Sequence, residues 1–327
     1  MNVVRAGVAC LLLIASPLAA ADRYAVVVTG ASGGVPFSKK YDAWRSAFVA
    51  TLETKLGYPR DHIVVLAEEA APPVRRATRD EVRAAFQDLA MRVAKDDVLL
   101  VLLIGHGTSG DEGARFNLVG PDLTAAEWAA LVKPIAGRVV FVNAGSGSFE
   151  FLETLAGRGR IVLTAADSAA QQYETIFPQF FIEAFAAEEA DLDRDGKVSI
   201  WEAFQTASAG VKGWFEEQGR LATERPILDD NGDGIGREAG EQGPALSLSK
   251  GPDGALARVT FLQRDDPGAA PADAELAALL RQRADIQSRI ELLRADKANV
   301  PADRYERELE ALLVELARLE RQIRARS

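Results

Sequence analysis

Residues 97–110 read DVLLVLLIGHGTSG, an unbroken apolar run through Ile104 followed by a glycine-rich turn that carries His106. The run is short, lacks helical periodicity and ends in turn residues, which predicts a strand delivering a histidine at its carboxyl end. Four further runs of this kind stand at 24–29, 63–66, 138–143 and 160–165, separated by stretches with helical spacing. Short apolar runs alternating with helices predict an α/β fold with a mostly parallel sheet and crossover helices on its flanks. Two helix starts are marked by residues three apart, Thr78 with Glu81 and Thr124 with Glu127. In each pair the threonine and the glutamate are placed to bond the other's backbone amide.

Working outward, the first residues place Arg5 before an apolar stretch that ends in Ala19, Ala20 and Ala21. That arrangement predicts a secretory signal peptide over residues 1–21 and an exported, periplasmic or secreted, protein. No later stretch reaches the roughly 20 apolar residues that a membrane helix needs. Cys10 lies inside the signal, with Gly7 where a lipoprotein signal requires a branched aliphatic residue, so ordinary cleavage after Ala21 is expected. Cys10 is the only cysteine among the 327 residues, and cleavage removes it. Net charge then moves from −10 to 37 − 48 = −11, which disfavours nucleic acid as a partner.

Residues 191–202 read DLDRDGKVSIWE. Asp191, Asp193 and Asp195 fall at positions 1, 3 and 5 of a twelve-residue EF-hand loop, Gly196 at 6, Lys197 at 7, Ser199 at 9 and Glu202 at 12. Calcium is a hard cation that takes six to eight oxygens. Three short carboxylates from alternate residues, the Lys197 carbonyl, Ser199 and a bidentate Glu202 meet that demand, while Gly196 allows the sharp turn. Residues 177–189 predict an apolar helix into the loop, and Trp201, Phe204 and Ala207 continue an apolar face out of it. The alternative is an acidic solvated turn.

A second acidic run, LDDNGDGIGREAGE, offers Asp229, Asn231 and Asp233 with Gly234 at the turn, but its twelfth residue is Gly240. Pro226 precludes a regular entering helix, and Glu238 or Glu241 would have to supply the closing carboxylate. The segment 186–240 thus holds the EF-hand and a second, tentative calcium-type loop. Residues 241–272 read as a linker with one possible edge strand at 257–262. Over 273–327, Leu276, Leu279, Ile286, Ile290 and Leu293, then Tyr305, Leu309, Leu312, Leu316, Leu319 and Ile323, keep heptad spacing around a turn at Asn299 and Pro301. A helical hairpin is preferred over a dimer seam, and Arg283 interrupts the first stripe.

The strand ends LLIGHGTSG and VVFVNAGSGSF, with GRIVLTAAD beyond, resemble the legumain family of caspase-fold peptidases over residues 22–185. The resemblance implies a caspase-like core with His106 as general base and a cysteine nucleophile at the next strand end. The cysteine's place holds Gly145 when aligned on the strand, or Ala144 when aligned on Ser146, Gly147 and Ser148. A mature chain without a thiol is no cysteine protease. Two readings remain: a degenerate core with a role in binding a protein or peptide partner or in assembly, and a serine hydrolase pairing His106 with Ser146 or Ser148. His62 reads as structural. The stretch TGASGG at 29–34 is a poor dinucleotide turn, because Pro36 replaces the glycine that lets a cofactor approach.

Overall fold

The computed structural model describes residues 21–110, 113–240, 253–264 and 301–324, with scattered positions between 279 and 300. The expected signal peptide, most of the linker and much of the hairpin's first helix lie outside the described residues.

Eight strands form one sheet in the order β11-β10-β9-β8-β4-β1-β2-β3. The five predicted runs are β1 (Arg23–Thr29), β2 (Ile63–Ala67), β4 (Val98–Ile104), β8 (Arg138–Asn143) and β9 (Arg160–Thr164). All pair in parallel, and the short β3 (Arg75–Arg76) extends the same direction at one edge. At the other edge β10 (Ile227–Asp229) runs antiparallel to β9 and pairs with β11 (Arg237–Glu238). The second acidic loop is therefore the hairpin between the last two strands of the main sheet. The sheet accordingly extends past residue 185 into the segment assigned to the calcium loops.

Every residue of β4 is buried, because the strand is covered on both faces. Val98, Leu100, Leu102 and Ile104 join one core with Tyr41, Phe48, Phe181 and Phe204 from α1 (Val35–Thr54), α5 (Phe177–Ala186) and α6 (Ile200–Glu217). Leu99, Val101 and Leu103 join the other with Phe86, Trp128 and Phe151 from α2 (Arg79–Arg92), α3 (Ala125–Val132) and α4 (Phe149–Leu155). The alternation is the two-residue period of the pleat.

The Thr124 and Glu127 box closes reciprocally. The Thr78 pair closes by half: Thr78 accepts the Glu81 amide at 3.3 Å, while the Glu81 carboxylate is taken by Arg75 at 2.6 Å. His62 is structural in its surroundings, stacked on Tyr24 with Nδ1 3.0 Å from the Arg23 carbonyl.

The edge strand expected at 257–262 does not form. Residues Ala255–Arg258 make a helical turn, α7, and only Phe261 bridges, to Ser199. The cause is Asp230, whose two carboxylate oxygens accept the amides of Gly254 and Ala257 at 2.8 and 2.7 Å and so fix a turn in place of extended chain. Beyond it, Ile286, Ile290, Leu312 and Leu319 form a separate small core with α8 (Ala302–Arg324), as a hairpin within one chain requires.

Candidate functional site

Two parallel strand ends converge where α/β sheets usually bind ligands, at their carboxyl edge. There β4 delivers Gly105 and His106, β8 delivers Asn143 to Ser146, and a small antiparallel sheet of Gly107–Thr108, Arg115–Phe116 and Leu123–Thr124 lies alongside. His106 Nε2 lies 3.1 Å from the Tyr41 hydroxyl, and the ring also hydrogen-bonds the Ser32 carbonyl. Burial holds the imidazole's pKa below its ordinary value, against the opposing pull of Glu174. Burial, reinforced by Glu174, pushes the Tyr41 phenol up. Both shifts favour the uncharged forms of the phenol and the imidazole.

Neither serine engages His106. The buried Ser146 hydroxyl both accepts from the Gly107 amide at 3.2 Å and donates to its carbonyl at 3.3 Å. Ser148 accepts the Ala166 amide at 3.2 Å and is fully buried. The expected serine–histidine pair is therefore not assembled, because both hydroxyls tie the strand-end loops together. Gly145 explains why the position has no side chain: a Cβ there would sit 2.5 Å from the Gly105 carbonyl oxygen. Ala144 is wholly buried and continues the β8 ladder by donating to Leu103.

The acidic loop joins α5 to α6. Carboxylate oxygens of Asp191, Asp193 and Asp195 lie within 4.8 Å of one another. Oxygens 2.3–2.6 Å from a common calcium ion lie no more than about 5 Å apart, so this trio fits the ion. Asp191 accepts the amides of Asp195 and Gly196 at 3.0 and 2.8 Å, Asp193 that of Asp195 at 3.1 Å, and Asp195 that of Lys197 at 2.9 Å. Arg194 and Gly196, at positions 4 and 6, are left-handed, with φ of 58° and 89°.

Glu202 closes the loop from α6. Its Oε1 accepts the amides of Leu192 and Asp193 at 2.8 and 3.1 Å, while Oε2 holds Ser199 through its amide and hydroxyl. Ser199 is the N-cap of α6, and Lys197 presents its ammonium over the Phe261 ring. Burial, then the neighbouring Asp193, raises the Asp195 pKa to about 6. One feature departs from the expected helix–loop–helix: α5 ends at Ala186, ahead of Asp191.

The second loop repeats this backbone. Asp229 accepts the amides of Gly232 and Gly234 at 2.7 and 2.8 Å, Asn231 that of Asp233 at 2.8 Å, and Asp233 that of Ile235 at 2.9 Å. Gly232 and Gly234, again positions 4 and 6, have φ of 76° and 80°. Glu238, expected to close this loop, instead lies in β11 with its carboxylate 3.8 Å from Arg225. Glu241 is outside the described residues.

The carboxylate that ties this loop's backbone together is Asp253. Its Oδ1 accepts the amides of Asp230 and Asn231, positions 2 and 3, at 3.1 and 3.3 Å, and Arg237 lies 3.6 Å from Oδ2. Burial, with Asp230 and Asp229 close by, pushes Asp253 up to about 8. Spacing could not have found it, since it arrives from beyond the linker, anchored by the caps that Asp230 makes to α7.

No family model matches the chain, and no curated protein matches it. Among solved structures it is similar to protein GSU0716 from Geobacter sulfurreducens, at 13% identity and a TM-score of 0.42, over 64% of this chain and 92% of that one. It is also similar to Raptor from Chaetomium thermophilum, at 13% identity and a TM-score of 0.32, over 51% of this chain and 17% of that one. The architecture itself is an α/β fold with a mostly parallel eight-stranded sheet between helices.

Proposed function

We propose that this chain is an exported calcium-binding protein whose caspase-like core, of legumain type, has lost its peptidase nucleophile and serves in binding or assembly. The observation that carries the reading is the convergence of Asp191, Asp193 and Asp195 within 4.8 Å, with Glu202 closing the same loop. The second loop, with Asp229, Asn231 and Asp233 at matching positions and Asp253 tying its backbone, is a weaker candidate for a second ion, because among the described residues only the first loop's carboxylates meet within 4.8 Å. Calcium acts structurally here: the first loop fixes how α5 leaves the sheet and α6 returns to it, and the second holds the antiparallel edge.

Loss of peptidase activity is supported by the sole cysteine lying in the expected signal segment and by the backbone crowding at Gly145. The chain's charge of −11 after signal cleavage disfavours nucleic acid as the partner.

The test is thermal unfolding in calcium and in chelator. A ligand bound only to the native state stabilises it by about 2.7 kcal/mol at one hundred times its dissociation constant. The melting temperature should rise with calcium, and Asp191→Ala should remove part of the rise. No shift at millimolar calcium would sink the calcium reading. Independently, labelling by a fluorophosphonate probe that disappears in Ser146→Ala would overturn the degenerate-core reading.

A further inference from the structure

Arg283 breaks the apolar stripe of the hairpin's first helix at the heptad position between Leu279 and Ile286. A charged residue at such a position weakens the seam unless its charge is needed elsewhere. Its destination is the first acidic loop: Nη2 lies 3.9 Å from Asp195 Oδ2, and the two side chains are only 18% and 16% exposed. Nε is buried without a hydrogen-bond partner among the described residues, so the guanidinium is held out of water to face the carboxylates. Three carboxylates meet at this point, those of Asp191, Asp193 and Asp195, and Glu202 ties the loop's backbone behind them. The remainder of the seam, Ile286, Ile290, Leu312 and Leu319, packs independently of that contact.

We infer that the C-terminal hairpin is the protein partner of the calcium loop, docked on it through Arg283, and that calcium binding and hairpin docking oppose each other. The inference rests on the calcium reading of residues 191–202. Asp195 is the shared group: it is at once a loop ligand position and the ion-pair partner of Arg283. A divalent ion on the loop neutralises the field that holds the guanidinium and repels it directly, and the arginine in turn lowers the loop's attraction for the ion. Coupling between two sites is reciprocal, so the effect of the hairpin on calcium affinity measures the effect of calcium on the hairpin. Calcium thereby loosens the hairpin from the core while leaving the hairpin's own seam packed.

The experiment is calorimetric titration of calcium into the whole protein and into its Arg283→Gln and Arg283→Lys variants, with Asp191→Ala identifying the first loop's binding event. Arg283→Gln should tighten that event by about three- to tenfold, as expected for one partly buried charge, and Arg283→Lys should stay near the parent. Equal or weaker binding in Arg283→Gln overturns the inference alone. Absence of the first-loop event in every protein overturns the calcium reading and the inference with it. Retention of parent-like affinity by Arg283→Lys separates a charge effect from a collapse of the hairpin.

Discussion

Glu202 and Asp253 hold equivalent places in two loops that share no closing spacing: each accepts, through one carboxylate oxygen, the amides of loop positions 2 and 3. Glu202 stands eleven residues after its loop's first aspartate, whereas Asp253 comes from across the linker. The same backbone register, with left-handed residues at positions 4 and 6, has therefore been closed once locally and once by a distant segment.

The matched places predict two calcium ions per chain. Asp253→Asn should remove one, because an amide offers one oxygen and no net charge in place of a carboxylate. Glu238→Gln should leave both, since Glu238 pairs with Arg225 in β11. Native mass spectrometry in calcium reads the stoichiometry directly. Two ions retained by Asp253→Asn, or one lost from Glu238→Gln, would return the closing role to the local glutamate.

At the β8 strand end, restoring a cysteine should fail to restore a peptidase. Any side chain at Gly145 meets the Gly105 carbonyl 2.5 Å away, and crowding of a packed interior costs typically about 1–3 kcal/mol. Gly145→Cys should unfold at lower denaturant concentration than the parent and show no turnover of peptide substrates. Ala144→Cys should be equally inactive, because that position is fully buried and its amide belongs to the ladder. Thiol-dependent peptide cleavage by either variant would mean that the nucleophile's seat survives.

The five long strands were legible because each is a short apolar run, and β4, buried on both faces, is nothing else. The first acidic loop was legible because its donors recur at fixed spacing within one segment. Three features were not. Strands β10 and β11 are three and two residues long, too short for a period to show. Residues 257–262 have the apolarity of a strand, but Asp230, far upstream, decides for a helical turn. Tyr41 is placed against His106 by the packing of α1 on β1, a tertiary fact without a local signature. The serines were legible as candidates, yet their commitment to Gly107 and Ala166 depends on loops that meet only in the folded sheet.

Buried carboxylates set the last prediction. Glu224 is 5% exposed and accepts the amides of Ile176 and Phe177 at 2.8 Å each, which caps the start of α5 from a distant segment. Burial outweighs those two bonds and raises its pKa from 4.5 to about 7. The folded state thus holds a proton more tightly than the unfolded state. Stability from this group is fully present below pH 4.5 and falls as pH rises towards 7, by roughly 3 kcal/mol for a shift of this size. Asp230 and Asp253, raised by burial to about 6 and about 8, add to the same slope when calcium is chelated. Denaturant titrations in chelator should therefore show greater stability at pH 5 than at pH 8. Glu224→Gln should flatten the segment up to pH 7, and calcium should flatten the part belonging to Asp253, because a bound cation favours the ionised carboxylate. Stability that rises steadily from pH 5 to pH 8 in chelator would mean that these groups are ionised at little cost in the fold.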